Sequence, residues 1–497
     1  MFEATAPFAF FDYFRVPYRI AAAPAPAPDL GPSYGLLWQT GTNGPVLAWP
    51  LADAAQGSRG SYRLGGKPIF AHVVNDHVAG ALRYDWGQGW LATDPVVDDS
   101  GEQIASVCRD DVGNVFLPFD PGEVMWQFWS EHYQDSAGGA RFRRLQTALV
   151  RMYYAARPVI PRPLQIAMRR AFTRLQQQAP FPAFPIETAL HDFYEWLFQT
   201  VSEFAGRPVP WLDLWPGGRS WALVLTHDVD TAAGLANLDA LRNIERQVGR
   251  ASSWNFVPLR YVTADSVVDS LKAEGCEVGV HGLLHDGRDL ASLGLLRRRL
   301  PGMREYARRW GAVGFRSPAT QRTWEFMPLL GFDYDTSYHD TAPYEPRPGG
   351  SCSYLPYFIG NPGAPGDTVE LPITLPMDHT LFEILQHPDA TLWLDKAAEV
   401  RDRGGMALVL THPDYADDPR VTDGYRLLLD TYRDDPTVWW ALPREVAAWW
   451  QRRAASTIEH TDEGWVVRGP AAVDCGIRSS RPDTPAPAGR QEPETVE

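Results

Sequence analysis

Five short stretches of this sequence hold residues whose types and spacing suit hydrolytic chemistry. LVLTHDVD carries Asp228 and Asp230, two positions apart at the end of an apolar run. Side chains alternate along a strand, so the two carboxylates point to one face while His227 and Val229 point to the other. VGVHGLLHDG carries His281 and His285. Residues four apart share one face of a helical turn, and two neutral imidazoles with one carboxylate form the open ligand set of a catalytic zinc site. GFRSP ends another apolar run at Arg316, followed by Ser317, Pro318 and Ala319. An arginine at a buried strand end needs a carboxylate or an anionic ligand. FDYDTSYHD brings Asp333, Asp335, Ser337 and His339, and LVLTHPDY places His412 directly after apolar residues. Each stretch alone also fits an ordinary role: a helix N-cap, a structural ion pair, a polar strand end, a satisfied core histidine. Together they supply a metal, a base, an arginine to orient it and a separate histidine acid, a complete hydrolytic set.

The elements that must position these residues alternate between strand and helix from 221 to about 453. WALVLTH, SSWNFV, CEVGV, GAVGFR, MALVLTH and TVWWAL read as strands. Between them ANLDALRNIERQV, DSVVDSLKAEG, RDLASLGLLRRRLPGMREYARRW and TLWLDKAAEVRDRGG read as helices, and REVAAWWQRR as a closing one. Such alternation implies a parallel sheet covered by helices, and about 230 residues of it fits a closed or nearly closed barrel with its site at the C-terminal strand ends. All five stretches fall on that rim. Upstream, 1–118 reads as a small β-rich region with strands such as YGLLWQT, GPVLAWPL and KPIFAHVV, interrupted by a proline-rich connector at 22–32. Residues 119–215 turn to helical spacing in VMWQFWSEHY, FRRLQTALVRMYYAA, PLQIAMRRAFTRLQQQ and ETALHDFYEWLFQTVSEF. The expected organisation is therefore 1–118, 119–215, a catalytic block at 216–455, and a tail at 456–497 lacking order from about 470.

Composition narrows the class. The 497 residues are 44% apolar and 22% charged, which excludes wholesale disorder, collagen and coiled coil. Lys and Arg number 46 against 61 Asp and Glu, a net charge of −15; an acidic surface repels phosphate backbones, so nucleic acid is not the expected partner. No apolar stretch is long enough for a transmembrane helix, and the N-terminus lacks a basic region ahead of an apolar core, so a cytoplasmic location is expected. The four cysteines are far apart and show no CxxC, which argues against a disulfide framework or a cysteine zinc site.

In motif order and spacing the sequence resembles the polysaccharide deacetylases with a NodB-homology domain. The family's T-F-D-D-G is here Thr226-His227-Asp228-Val229-Asp230, and its H-(S/T)-x-x-H is His281-Gly282-Leu283-Leu284-His285. R-x-P-(Y/F) becomes Arg316-Ser317-Pro318-Ala319, D-x-(W)-S becomes Asp335-Thr336-Ser337, and the leucine with His-Pro becomes Leu410-Thr411-His412-Pro413. The resemblance covers 221 to about 450 and implies an α/β fold, a distorted (β/α) barrel of the NodB type. Three departures stand out. D-V-D moves the metal carboxylate to Asp230, Gly282 replaces a hydroxyl residue and is expected to loosen His281, and Ala319 replaces an aromatic.

The resemblance implies hydrolysis of an acetyl group, N-acetyl or O-acetyl, on a polysaccharide or glycan precursor. Asp230, His281 and His285 would hold a divalent metal, zinc with cobalt or manganese as alternatives. Asp228 would be the base, held ionised by Arg316. The Ala319 N–H, beside Pro318, would serve the oxyanion, and His412 would be the acid, oriented by Asp335. The reverse assignment, with Asp228 as ligand and Asp230 as base, or both binding, stays open. Two rival readings keep the same fold: a non-catalytic carbohydrate-binding protein, and a metal-dependent C–N hydrolase of a non-sugar amide.

Overall fold

The computed structural model describes residues 1–480 except 24–27, 29, 42–43, 52–56, 85, 137–163, 165–166, 172, 174–180 and 361–367. Residues 24–27 and 29 of the expected proline-rich connector and the whole of the expected helix FRRLQTALVRMYYAA lie outside the described residues, and PLQIAMRRAFTRLQQQ is described only in fragments.

The fold is mixed α/β. Its central strand, Trp221–Val229, is buried along all nine residues. An unbroken apolar run of this kind suits a strand covered on both faces. Met406–Thr411 lines one of its edges in parallel. Val438–Ala441 pairs with the first half of the other edge and Ser253–Phe256 with the second half. From there the sheet continues in parallel through Glu277–His281, Gly314–Arg316, Tyr334–Asp335 and Val369–Glu370, and ends on the antiparallel Tyr357–Phe358. Helices Leu238–Val248, Asp265–Ala273, Leu293–Trp310 and Thr391–Asp402 supply crossovers between these strands. Leu293–Trp310 runs on through Pro301 as one helix and ends at Gly311, whose φ of 61° suits a glycine C-cap.

The strands form a curled half-barrel. Its edge strands do not pair with each other; instead the chain after Val369–Glu370 crosses the gap in irregular conformation. There Ile373 N–H donates to Tyr338 O at 2.8 Å and Leu375 N–H to Leu408 O at 3.1 Å.

A second nine-stranded sheet is built from the strands between Phe2–Ala4 and Val115–Phe116. Helices Pro121–Trp129 and Ala189–Ala205 follow it. One apolar core runs from Phe2 through both sheets to Cys475. Two buried arginines tie the halves together. Arg453 donates to the carbonyls of Tyr13 at 2.8 Å and Asp213 at 2.8 Å. Arg322 Nε donates to Glu131 Oε2 at 2.9 Å and its Nη1 to Thr320 O at 3.0 Å, two residues past Pro318.

At the C-terminus the chain departs from expectation. Order continues past 470: Ile477–Ser480 pairs antiparallel with Val209–Leu212. Ala471 and Cys475 are buried, and that burial offsets the entropy of ordering a polar segment. Residues 481–497 lie outside the described residues.

Breaking a buried ion pair strands a charge away from water. Arg322→Ala is expected to destabilise the protein by about 3–5 kcal/mol, read as a lower denaturation midpoint. A loss below about 1 kcal/mol would show that Glu131 finds water or another partner.

Candidate functional site

The site forms where the parallel strands end. Asp228 is the last but one residue of its strand and is 2% exposed; Arg316, at 0%, ends a strand separated from it in the sheet by Ser253–Phe256 and Glu277–His281. Arg316 Nη1 donates to Asp228 Oδ1 at 3.0 Å, Nη2 to Thr226 Oγ1 at 3.0 Å, and Nε to Thr336 O at 3.0 Å and Thr336 Oγ1 at 2.8 Å. Asn255 Nδ2 donates a further bond to Asp228 Oδ1 at 2.9 Å. Both bonds fall on Oδ1, which leaves Oδ2 facing His281 Nε2 at 3.6 Å. Burial works to raise the Asp228 pKa, but Arg316, His281 and His412 outweigh it and hold the carboxyl below its ordinary value. His227, on the opposite face, bonds Glu245 at 2.6 Å and Thr411 at 2.8 Å beneath the sheet.

Asp230, His281 and His285 each bring one ligand atom to within 4.8 Å of the others. Asp230 Oδ1 lies 2.8 Å from His285 Nε2 and 3.4 Å from His281 Nε2. It is buried yet has hydrogen-bond geometry to no donor. His281 Nδ1 donates to Arg316 O at 3.0 Å, which leaves its Nε2 as the lone-pair nitrogen. An orphaned carboxylate oxygen facing such a nitrogen is a donor set that fits a divalent cation.

The two histidines do not share a helical turn as their spacing suggests. His281 ends a strand and His285 sits in a bend with φ 54°, while Gly282 between them has φ 61°. Left-handed backbone, rather than helical periodicity, brings the rings together. Gly282 is also required rather than loosening: a Cβ there would lie 2.5 Å from Pro318 and 2.3 Å from Asp289. Pro318 opens the turn that carries Ala319, whose φ is 53° and whose N–H has no protein acceptor among the described residues.

His412 lies across the site. Its orienting carboxylate is not Asp335 but Asp378. His412 Nδ1 donates to Asp378 Oδ1 at 2.6 Å and His412 N–H to Asp378 Oδ2 at 2.7 Å. Burial disfavours charge on the ring, but Asp378 outweighs it and raises the pKa to about 10. Asp335 instead accepts from Ser337 N at 2.8 Å and Ser337 Oγ at 3.0 Å, and shares a buried contact with Glu370. Ser337 Oγ in turn accepts from Ser317 N at 2.9 Å, so Asp335 braces the turn after Arg316. The strand pairing explains the difference, since Asp335 is registered beside Phe315 and Glu370, away from the strand Met406–Thr411 that precedes His412.

Three positions escaped the sequence reading. Asp378 precedes His412 by 34 residues; its only signal is a lone acid in the apolar run LPITLPMDH. Asn255 is a polar residue inside a short strand, and Gly279 makes room for it, since a Cβ there would lie 2.0 Å from Asn255 Oδ1. Asp414, two residues after His412, accepts from Asp230 N–H at 2.9 Å and from the Thr231 hydroxyl. It therefore ties the loop of the histidine to the loop of the candidate ligand.

Solved structures similar to this chain include polysaccharide deacetylases. A Mycobacterium smegmatis protein assigned as one is 21% identical, covers 48% of this chain and 92% of its own, and has a TM-score of 0.39. A Pseudomonas aeruginosa PAO1 protein with the same assignment is 16% identical over 48% of this chain and 93% of its own, with a TM-score of 0.40. A PuuE allantoinase is 15% identical over 47% of this chain and 91% of its own, with a TM-score of 0.39. Neither a protein-family model nor a curated relative matches the sequence.

Asp414→Ala is expected to weaken binding of zinc, cobalt or manganese about 10–100-fold by calorimetry, the usual worth of a residue that fixes a ligand, with Asp414→Asn retaining most of the affinity. His281→Ala is expected to strip most bound metal while circular dichroism stays unchanged. Unaltered affinity in both alanine variants would remove the cluster as a metal site.

Proposed function

We propose that this protein is a hydrolase that removes acetyl groups, chiefly N-acetyl, from a glycan or glycan precursor. The cofactor in this reading is a divalent cation, zinc, held by Asp230, His281 and His285. The observation that carries the reading is the pairing of opposites around that cluster. An arginine-held carboxylate, Asp228, lies on one side, and a carboxylate-held imidazole, His412, on the other. We take 216–455 as the catalytic unit, a distorted barrel of the NodB type, with 1–118 and 119–215 as separate regions packed against it.

A cation held by Asp230, His281 and His285 would supply Lewis acidity to the site. Asp228, ionised through Arg316, accepts the proton of the attacking water as its oxygen bonds to the carbonyl carbon. The Ala319 N–H donates to the carbonyl oxygen as negative charge develops there. His412 donates its Nε2 proton to the nitrogen as the C–N bond breaks, and acetate and a free amine leave. Asp378 accepts from Nδ1, which directs the other ring nitrogen to the substrate and stabilises the imidazolium.

The signs of the two shifts set the pH dependence. A lowered carboxyl pKa leaves Asp228 ionised from below the ordinary carboxylate range upward. A raised imidazole pKa keeps His412 protonated until pH passes about 10. Activity is expected to be bell-shaped with an alkaline limb well above neutrality, and Asp378→Asn is expected to bring that limb down by more than one unit. An unmoved limb in Asp378→Asn would exclude His412 as the acid. Asp228→Asn is expected to keep metal and lose about 10²–10⁴-fold in rate. Loss of metal there, with retention in Asp230→Asn, reverses the roles of the two carboxylates.

A further inference from the structure

We infer that Arg260 is an anion-recognising residue at the mouth of this site, and that the substrate is an acidic glycan whose negative group, carboxylate or phosphate, sits beside the acetylated sugar. The inference rests on the function proposed above and names the substrate class for it. Arg260 is exposed, and its guanidinium touches His285 Nδ1. The chain on either side of it is held in place. On one side, Leu259 N–H donates to Leu283 O at 3.0 Å. On the other, the Tyr261 hydroxyl donates to Val229 O and accepts from Val257 N–H at 3.1 Å. The backbone is thus pinned to the strand ends that carry the carboxylates and the histidines.

Among the described residues Arg260 makes no ion pair, whereas Arg316 has Asp228, and Arg299 has Asp286 and Asp289. The contact with His285 does not serve as one. If Nε2 of that ring turns its lone pair to a cation, Nδ1 carries the proton and presents an N–H to the guanidinium. Arg260 then faces a donor rather than an acceptor, and an anion is the ligand that would compensate its charge. In a chain of net charge −15 the bulk field disfavours an acidic glycan, so a local fork of donors is what would make one acceptable. Leu259, Val262 and Leu284, exposed by 54%, 88% and 40%, supply apolar surface beside it for the CH face of a sugar ring.

The test is calorimetric binding to the zinc-loaded full chain. The probes are hyaluronan tetrasaccharide, its carboxyl-reduced form, fully N-acetylated chitotetraose, and uridine diphosphate N-acetylglucosamine. Arg260→Ala is expected to weaken an anionic probe about 10–100-fold, in the range of a charge-assisted hydrogen bond, and to leave the two neutral probes within about twofold. Arg260→Lys restores part of the loss. Dependence confined to hyaluronan tetrasaccharide identifies a carboxylate, and dependence confined to the nucleotide sugar a phosphate. Equal loss on neutral and anionic probes, or no loss on either anionic probe, overturns the inference. Turnover separates it from the proposed function. Deacetylation of chitotetraose without Arg260-dependent selectivity sinks only the inference; selective binding without turnover of any acetylated probe sinks only the function.

Discussion

A guanidinium with no exposure to solvent must be compensated completely, and Arg316 is such a group. Its donors reach Thr226 and Asp228 on the central strand and Thr336 just past the strand on its other side. It therefore ties three strand ends together at the rim. The same contact keeps Asp228 ionised and directs one carboxylate oxygen away from Arg316, toward His281. The strand register, the charge of the candidate base and the placement of the histidine all follow from satisfying that one buried cation. Asn255 completes the arrangement, and Gly279 is glycine because Asn255 needs its space.

The opposite side of the site repeats the logic with the signs exchanged. Asp378 holds His412 by two bonds and raises its pKa to about 10 in spite of burial. Burial alone would move an imidazole down and a carboxyl up. Here each group is displaced the other way because its partner is a full charge at hydrogen-bond distance. Asp414 links the two sides, since it follows His412 closely and receives the N–H of Asp230. The spacing between the histidine and the cluster is consequently set by one side chain rather than by two independent loops.

The N-terminal elements reach this machinery through Arg322. It holds Glu131 in a buried pair and also donates to Thr320 O, in the turn that presents Ala319. A feature far upstream in sequence thereby fixes the backbone at the rim. Glu131 itself has φ 60°, a conformation uncommon for a residue with a side chain, and the pair with Arg322 accompanies it.

The sequence by itself determined which residues stand at strand ends. Apolar runs ending at Asp228, His281, Arg316 and His412 mark buried parallel strands, and period-two alternation put Asp228 and Asp230 on one face with His227 on the other. Those are local properties, set by side-chain period and burial, and they are legible without coordinates. Partner identity was not. Asp335 and Asp378 are both acids near strand ends, and nothing local distinguishes which one reaches His412. That depends on sheet register, which places Asp335 beside Phe315 and Glu370. The histidine pair misled for a related reason: spacing by four fits a helix, but left-handed backbone at Gly282 and His285 achieves the same convergence. Gly282 looked like a lost hydroxyl until Pro318, 36 positions later in sequence, proved to occupy the space a Cβ would need. Residue type and period are encoded along the chain; a contact between distant residues exists only once the sheet has curled, and only the tertiary structure decides it.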